Sequence, residues 1–168
     1  MDKKLIIING TMGVGKSTIS TALKNELENS VMLDGDWCWM MNPWNITEEN
    51  KKMVEQNIII LLNSFLNNPS FQYVIFTWVL HKEEILKNLL KNIDNKNKKF
   101  ELHCFTLICS KNELIKRMQT NNRSELNIKN AVERIPLYLA QKSIKIDTTN
   151  EDIMTIVKEI KKEIMSRK

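Results

Sequence analysis

Apolar residues along the chain follow two alternating spacings. Short continuous apolar runs predict strands at about 4–8, 31–34, 72–78, 101–108 and 144–147. Between them, apolar residues recur at threes and fours, which predicts helices at about 16–28, 47–66, 82–93, 111–120, 127–140 and 151–166. Runs that are apolar at every position, such as 5–8 and 73–76, are typical of parallel strands buried on both faces. The pattern therefore predicts a three-layer α/β/α sandwich around a five-stranded parallel sheet.

The predicted boundaries carry helix-start and helix-stop signals. Thr47 and Asn150 each precede acidic residues and are candidate N-caps, and Pro69 interrupts the chain between a helix and a strand. We see no repeat or linker. A length of 168 residues suits one ordinary core, so residues 1–168 are expected to form a single domain.

Composition narrows the class of protein. Hydrophobic residues make up 42% and charged residues 27%, the balance of a soluble globular chain. No apolar run approaches the roughly 18 residues of a membrane span, and the first strand follows too closely on Met1 for a signal peptide. We expect a cytoplasmic protein without membrane contact. Three cysteines without CxxC spacing predict neither a disulfide nor a zinc site.

The net charge of +5 does not by itself indicate nucleic acid as a partner. The lysines are scattered, and the densest cluster, at 96–99, falls in an Asn-rich predicted turn. A solvated surface is the preferred interpretation. A strongly salt-dependent affinity for DNA or RNA would support the alternative.

A glycine-rich segment joins the first predicted strand to the first predicted helix. It fits GxxxxGK[ST] at every fixed position and reads Gly10, Thr11, Met12, Gly13, Val14, Gly15, Lys16, Ser17, with Thr18 following. In such a loop the backbone N–H groups and the helix dipole bind phosphates, and the lysine reaches the β- and γ-oxygens. The Ser17 hydroxyl is a candidate Mg²⁺ ligand. A simple connecting turn would leave the Lys-Ser pair unexplained.

Other classes of P-loop protein lack their signatures here. Gly35 is the only glycine outside the loop, and Met32 stands three positions before it, so the DxxG segment of GTPases is missing. The sequence 95–98 ends in Lys98 rather than the aspartate of NKxD, and no apolar run ends in Asp-Glu as in ATP-driven motors. GTPase and motor functions are therefore disfavoured.

Two aspartates close the second predicted strand. Asp34 and Asp36 fall where a parallel sheet places ligand-binding residues, at the carboxyl edge beside the P-loop. A carboxylate there can accept the proton of an attacking hydroxyl or hold a Mg²⁺-bound water. Asp36 is the preferred base and a candidate metal ligand. For Asp34, a role in an Asp-Gly turn is an equally strong alternative.

These segments resemble the small P-loop kinases of nucleotides and metabolites, which include adenylate, gluconate and shikimate kinases and chloramphenicol phosphotransferase. The resemblance rests on 10–18, on 33–36, on the arginine-bearing helix after the fourth strand and on 146–149. It implies a nucleoside-monophosphate-kinase-like fold, with ATP and Mg²⁺ as cofactors, and a short lid at about 117–134. Arg117 and Arg123 would then bind the phosphates, with Arg134 as a further candidate.

The resemblance also places Thr148 beside the adenine, although the segment 147–150 suits a helix N-cap equally well. One departure concerns the third strand. In many P-loop proteins this strand ends in a magnesium-orienting aspartate, but here 75–78 offers only Thr77. Asp34 or Asp36 would have to compensate.

All four tryptophans fall near the predicted acceptor side of the cleft. Trp37 and Trp78 are candidate substrate contacts because an indole can stack on a ring and donate a hydrogen bond. Core packing competes, since Trp37 and Trp39 alternate as strand neighbours would. His81 is a further acceptor candidate or a helix cap, and His103 has no visible partner in the sequence.

Together the motifs predict an ATP- and Mg²⁺-dependent phosphotransferase that acts on a small-molecule acceptor, most simply a nucleoside or nucleotide. An antibiotic or other xenobiotic is the near alternative. A nucleotide-binding regulatory module with little turnover is the alternative from another class. Oligomeric state and the preference for ATP over GTP stay open.

Overall fold

The structure, a computed structural model, describes residues 3–93 and 100–166. The five strands are β1 (Lys3–Asn9), β2 (Ser30–Asp34), β3 (Tyr73–Thr77), β4 (Phe100–Ile108) and β5 (Ile144–Asp147). The helices are α1 (Lys16–Glu26), α2 (Glu48–Asn67), α3 (Glu83–Asn92), α4 (Lys111–Thr120), α5 (Glu125–Glu133), α6 (Ile135–Leu139) and α7 (Ile153–Ser166), with a 3₁₀ helix at Gly35–Trp39. The lysine cluster at 96–99 and Arg167 lie outside the described residues.

The strands form one parallel sheet in the order β2-β3-β1-β4-β5. Its central strand, β1, carries the P-loop at its carboxyl end. Asp34 at the end of β2 pairs in register with Thr77 of β3, which in turn pairs with Ile8 of β1. The carboxyl ends of these three strands therefore meet at one edge, and the predicted three-layer α/β/α fold is confirmed.

Helices cover both faces of the sheet, as runs apolar on both faces require. α1 and α7 pack on one face through buried residues that include Leu23 and Ile160. α2 and α3 pack on the other through residues that include Ile58 and Leu89. Deleting one of these large side chains would cost about 2–5 kcal/mol of folding free energy. This packing fixes the strand ends on which the site is built.

Two sequence predictions about helices are wrong. The single helix expected at 127–140 is two helices, α5 and α6, which meet at Arg134. Pro136, in the first turn of α6, has no N–H to donate and its ring crowds the preceding turn, so a continuous helix is interrupted there. The cap of α7 is Asp152, not Asn150, because the Asp152 carboxylate accepts from the N–H groups of the first turn.

Other local predictions have definite outcomes. Thr47 does cap α2, since its hydroxyl accepts from the N–H of Asn50 at 3.1 Å. Trp37 and Trp39 are not strand neighbours but lie in the 3₁₀ helix after β2. The three cysteines are free thiols. Within 3–93 and 100–166, no helix is long and apolar enough to cross a membrane, and no group of His, Cys, Asp and Glu is arranged to hold a metal.

Candidate active site

The P-loop leaves β1 in a conformation that glycine makes available. Gly10 has φ +146°, and a Cβ there would lie 2.7 Å from the carbonyl oxygen of Leu107, a backbone atom that cannot step aside. Gly15 precedes α1 with φ +104° and has open space around it. No side chain caps α1 at this end. The first N–H groups of α1 therefore face an open approach, which is the arrangement that binds phosphate.

Asn9 anchors the start of the P-loop, and the sequence did not point to it. Its Oδ1 accepts from the N–H of Gly10 at 2.8 Å and from the N–H of Leu80 at 2.9 Å. Its Nδ2 donates to the Leu80 carbonyl at 3.1 Å and to Gln141 Oε1 at 2.6 Å. One buried amide thus holds three segments together. The only sequence signal was a polar residue at the end of an apolar strand.

Lys16 lies folded against its own loop. Its Nζ donates to the carbonyl of Thr11 at 3.0 Å, and the Thr11 hydroxyl donates to the carbonyl of Ala131 on α5. Burial lowers the pKa of Lys16 to about 8, and the nearby carboxylates of Asp36 and Asp34 oppose that shift. The ammonium group is therefore placed where an added anion would stabilise its charge.

This pKa predicts a proton uptake on nucleotide binding. Because a bound triphosphate favours the charged lysine, ATP should raise the pKa of Lys16 above about 8. Affinity should be constant below that pH and weaken as pH rises through it. Calorimetry at pH 8.5 in buffers of different ionisation enthalpy should report proton uptake in the wild type and less in Lys16→Met. Equal uptake in both would assign the proton to another group.

Asp34 is joined directly to the P-loop. Its Oδ2 accepts from the Ser17 hydroxyl at 2.6 Å, and its Oδ1 accepts from the N–H of Asp36 at 3.0 Å. The second contact caps the 3₁₀ helix, so the carboxylate has the turn role and also reaches the candidate metal ligand. Thr77 does not replace the missing aspartate of β3, because its buried hydroxyl donates to the Ile8 carbonyl at 3.0 Å.

Asp36 is an exposed residue of the 3₁₀ helix after β2, and charged groups lie near it. Loss of hydration raises its pKa, the Asp34 carboxylate raises it further, and the opposing effects come from Lys16, a hydrogen bond from Trp78 and Arg123. Gly35 leaves the room that Trp78 occupies, since a Cβ there would lie 2.5 Å from the indole ring. The structure thus brings together side chains that are far apart in sequence.

Arg117 lies on the opposite side of the P-loop, near the segment after β5. Its guanidinium donates to the Thr148 carbonyl at 2.5 Å, to the Thr148 hydroxyl at 3.0 Å and to Glu113 at 2.8 Å. A weaker bond reaches the Val14 carbonyl at 3.4 Å. These groups adjoin a cavity of about 240 Å³ whose further lining includes Gly13, Gly15, Thr18, Asn121, Glu151 and Ile153. This cavity is the candidate pocket for the nucleotide base.

Removing the Arg117 side chain should weaken nucleotide binding more than turnover. In Arg117→Ala the P-loop and the segment at 148 lose one of the groups that join them, and a cation beside the cavity is lost. We expect KM for ATP to rise about tenfold, with kcat changed less than threefold. Lys116→Ala, its neighbour on α4, is the matched control. A selective loss of kcat would instead place Arg117 at the transferring phosphate.

The remaining candidates have different surroundings. Met12 is exposed at the tip of the P-loop, and Trp37 is exposed beside α2. The Nδ1 of His81 is buried without a partner among the described residues, and burial and then Arg134 lower the pKa of this imidazole. The substrate roles of Trp37 and His81 stay predictions.

The sequence showed no partner for His103. In the structure this residue is fully buried in β4, and its Nε2 lies 3.0 Å from Oε1 of Glu101.

The region at 117–134 comprises the last turn of α4, a turn and α5. Asn122, at φ +52°, follows the C-cap residue of α4, and the backbone N–H of Arg123 donates to the Met118 carbonyl at 3.0 Å. Movement of this region as a lid stays a prediction.

The strand order and the P-loop at the central strand define a P-loop protein of the α/β class. A family model described as an AAA domain matches residues 6–136. Since this is more than half of the sequence, the chain belongs to that family. A search of curated proteins found no match to the sequence.

Solved structures with the same fold include small-molecule kinases. The tunicamycin resistance protein of Deinococcus radiodurans has a TM-score of 0.75 at 17% identity, over 96% of this chain and 95% of that one. A gluconokinase from Sinorhizobium meliloti has a TM-score of 0.66 at 15% identity, over 98% of both chains. Shikimate kinase from Acinetobacter baumannii, in complex with shikimate, has a TM-score of 0.66 at 20% identity, over 99% and 95%. The resemblance to P-loop kinases is confirmed in the fold.

Proposed function

We propose that the protein transfers the γ-phosphate of ATP to a hydroxyl or phosphate of a small molecule. The observation that carries this proposal is the convergence of Lys16, Ser17, Asp34 and Asp36 at one edge of the sheet, where the charge of Arg123 also acts on the Asp36 carboxylate. A binding module needs the phosphate-holding groups only. A carboxylate that faces both the P-loop lysine and an arginine is an arrangement suited to phosphoryl transfer.

The donor would be bound by the P-loop and α1. The uncapped N–H groups of α1 and the Lys16 ammonium would take the β- and γ-phosphates, with Lys16 leaving the Thr11 carbonyl to do so. The adenine base of ATP would occupy the cavity beside Arg117 and Thr148. This accounts for Gly10 to Thr18, Arg117 and Thr148 as nucleotide-binding residues.

Magnesium fits the oxygen groups at the start of α1. The Ser17 hydroxyl and the Asp34 carboxylate are 2.6 Å apart, and hard oxygen donors of this kind suit Mg²⁺. When bound, the ion would neutralise charge that builds on the phosphates during transfer. Asp34 then compensates for the missing aspartate of β3. Asp36, predicted from sequence as a metal ligand, is the second carboxylate available there.

The acceptor would bind against Asp36. A raised pKa suits a group that must take a proton near neutral pH, and the Trp78 hydrogen bond fixes the carboxylate while the acceptor approaches. Arg123 would stabilise the phosphoryl group between donor and acceptor, because a guanidinium can bind two phosphate oxygens at once. Lys16 would do so from the donor side.

A nucleoside or nucleotide is the simplest acceptor, since Trp78 offers an aromatic ring beside Asp36, the proposed general base. An antibiotic is the second candidate, and the structural likeness to a tunicamycin resistance protein favours it. Both acceptors would be phosphorylated by the same groups. The two acceptors differ in the size and shape of the group that must fit beside Asp36.

The direct test is ADP release from Mg-ATP across a panel of nucleosides, nucleotides, sugar acids and antibiotics, with phosphorylated product identified by mass spectrometry. One acceptor should raise ADP release at least a hundredfold over Lys16→Ala. Tight ATP binding with no acceptor-dependent ADP would favour a regulatory module and contradict the proposal.

A further inference from the structure

The segment between β3 and α3, residues 78–82, carries two of the acceptor candidates and has no helix or strand of its own. Trp78 begins the segment, and His81 lies near its end. The positions of these side chains depend on what holds the backbone between them. Both backbone polar groups of Leu80 bond to side chains from elsewhere in the chain, and the Leu80 side chain is 1% exposed. The segment is therefore fixed at Leu80.

Two side-chain amides hold Leu80. Asn9 accepts from the N–H of Leu80 at 2.9 Å and donates to its carbonyl at 3.1 Å. The Nε2 of Gln141 donates to the same carbonyl, and its Oε1 accepts from Asn9 Nδ2 at 2.6 Å. Turning over either amide would place its oxygen against the Leu80 carbonyl. The network thus has one arrangement.

Gln141 is itself fixed to the sheet. It follows α6 in the segment that leads into β5. The Nζ of Lys145 donates to the carbonyl of Gln141, and it also donates to the carbonyl and the hydroxyl of Ser143 at 3.2 Å and 3.0 Å. The hydroxyls of Ser143 and of Thr106 on β4 are 2.6 Å apart. The amide of Gln141 therefore reaches Leu80 from a firmly held backbone.

Trp78 connects this network to the proposed general base. Its indole occupies the room that Gly35 leaves, and it gives the Asp36 carboxylate a hydrogen bond. Leu80 lies two residues further along the same segment. A shift of Leu80 would therefore move the indole, and with it the carboxylate that faces the acceptor.

We infer that Gln141 is a positioning residue for phosphoryl transfer, because it fixes the segment 78–82 against Asn9 at the start of the P-loop. The inference rests on the proposed function and names a further residue on which that function depends. Gln141 does not contact the reacting groups but acts through Leu80 and Trp78. A displacement of about 1 Å at a reacting group can cost about a hundredfold in rate.

Gln141→Met removes both polar ends of the side chain at nearly constant length. At saturating acceptor, kcat should fall about tenfold to a hundredfold. The KM for ATP should change less than about twofold, because the P-loop keeps the bond from Gly10 to Asn9. Without ATP or acceptor, the indole N–H signal of Trp78, assigned with Trp78→Phe, should move in NMR spectra. The signals of the other three tryptophans should not move.

Gln141→Glu tests the bond to Leu80 alone. The glutamate can still accept from Asn9, but an ionised carboxylate has no hydrogen to donate to the Leu80 carbonyl. It should lower kcat and move the Trp78 signal as Gln141→Met does. Gln56→Met is the matched control, because it makes the same chemical change at an exposed position on α2. It should keep the wild-type kcat and the wild-type Trp78 signal.

Three results would overturn the inference. The first is a wild-type kcat in Gln141→Glu, and the second is a Trp78 signal that does not move in either Gln141 variant, even if the melting temperature falls. The third is a rise in KM for ATP equal to the fall in kcat, since Gln141 would then serve the P-loop only. If the Trp78 signal moves but no acceptor makes the wild type release ADP, Gln141 still positions the indole and the proposed phosphotransfer fails.

Discussion

Lys16→Ala is expected to lower acceptor-dependent phosphoryl transfer by at least a thousandfold. The Lys16 ammonium is the cation of the P-loop, held 3.0 Å from the Thr11 carbonyl and close to Asp34 and Asp36. Its charge would stabilise oxygens that gain negative charge during transfer. In a poorly hydrated site, removing one such group costs several kcal/mol of transition-state stabilisation.

The fold should survive this substitution, since burial of the ammonium group disfavours its charged form and the hydrogen bond of Lys16 Nζ is to a carbonyl of its own loop. Circular dichroism and the melting temperature test that expectation. Lys24→Ala, on the same helix but outside the loop, should retain at least half of the wild-type kcat. Full turnover in Lys16→Ala would contradict the assignment of the P-loop as the donor site.

The sequence predicted the P-loop in full because its signal is local. Eight adjacent residues specify the turn, the helix start and the phosphate-binding groups without reference to the rest of the chain. The layered fold was also predictable, since strands apolar on both faces need helices on both sides. The break at Arg134 was missed because the apolar spacing of α5 continues into α6, whereas Pro136 acts through the backbone.

The pairing of side chains across the site was not predictable from the sequence. Asp34 was left between a turn role and a catalytic role, and only the folded structure shows that its carboxylate accepts a hydrogen bond from Ser17. Asn9 was missed because its hydrogen bonds join segments more than 60 residues apart. Contacts of this kind depend on tertiary structure, which one sequence without its fold does not reveal.

Asp36→Asn should lower kcat by about a hundredfold to ten-thousandfold and leave KM for ATP nearly unchanged. The amide keeps the size of the carboxylate and can still accept from Trp78, so the substitution removes the base and little else. The pKa of Asp36 is raised, so kcat/KM in the wild type should decline with falling pH above the usual aspartate range, and this decline should vanish in the variant.

Asp34→Asn is the matched comparison, because the two carboxylates are adjacent but contact different partners. Asp34 contacts Ser17, so its loss should raise the Mg²⁺ concentration needed for half-maximal activity about tenfold. Asp36→Asn should leave that concentration unchanged. Wild-type rates in Asp36→Asn, with the pH-dependent decline lost in Asp34→Asn instead, would transfer the role of base to Asp34. The two carboxylates can be separated in this way because one is bonded to the P-loop and the other faces the acceptor.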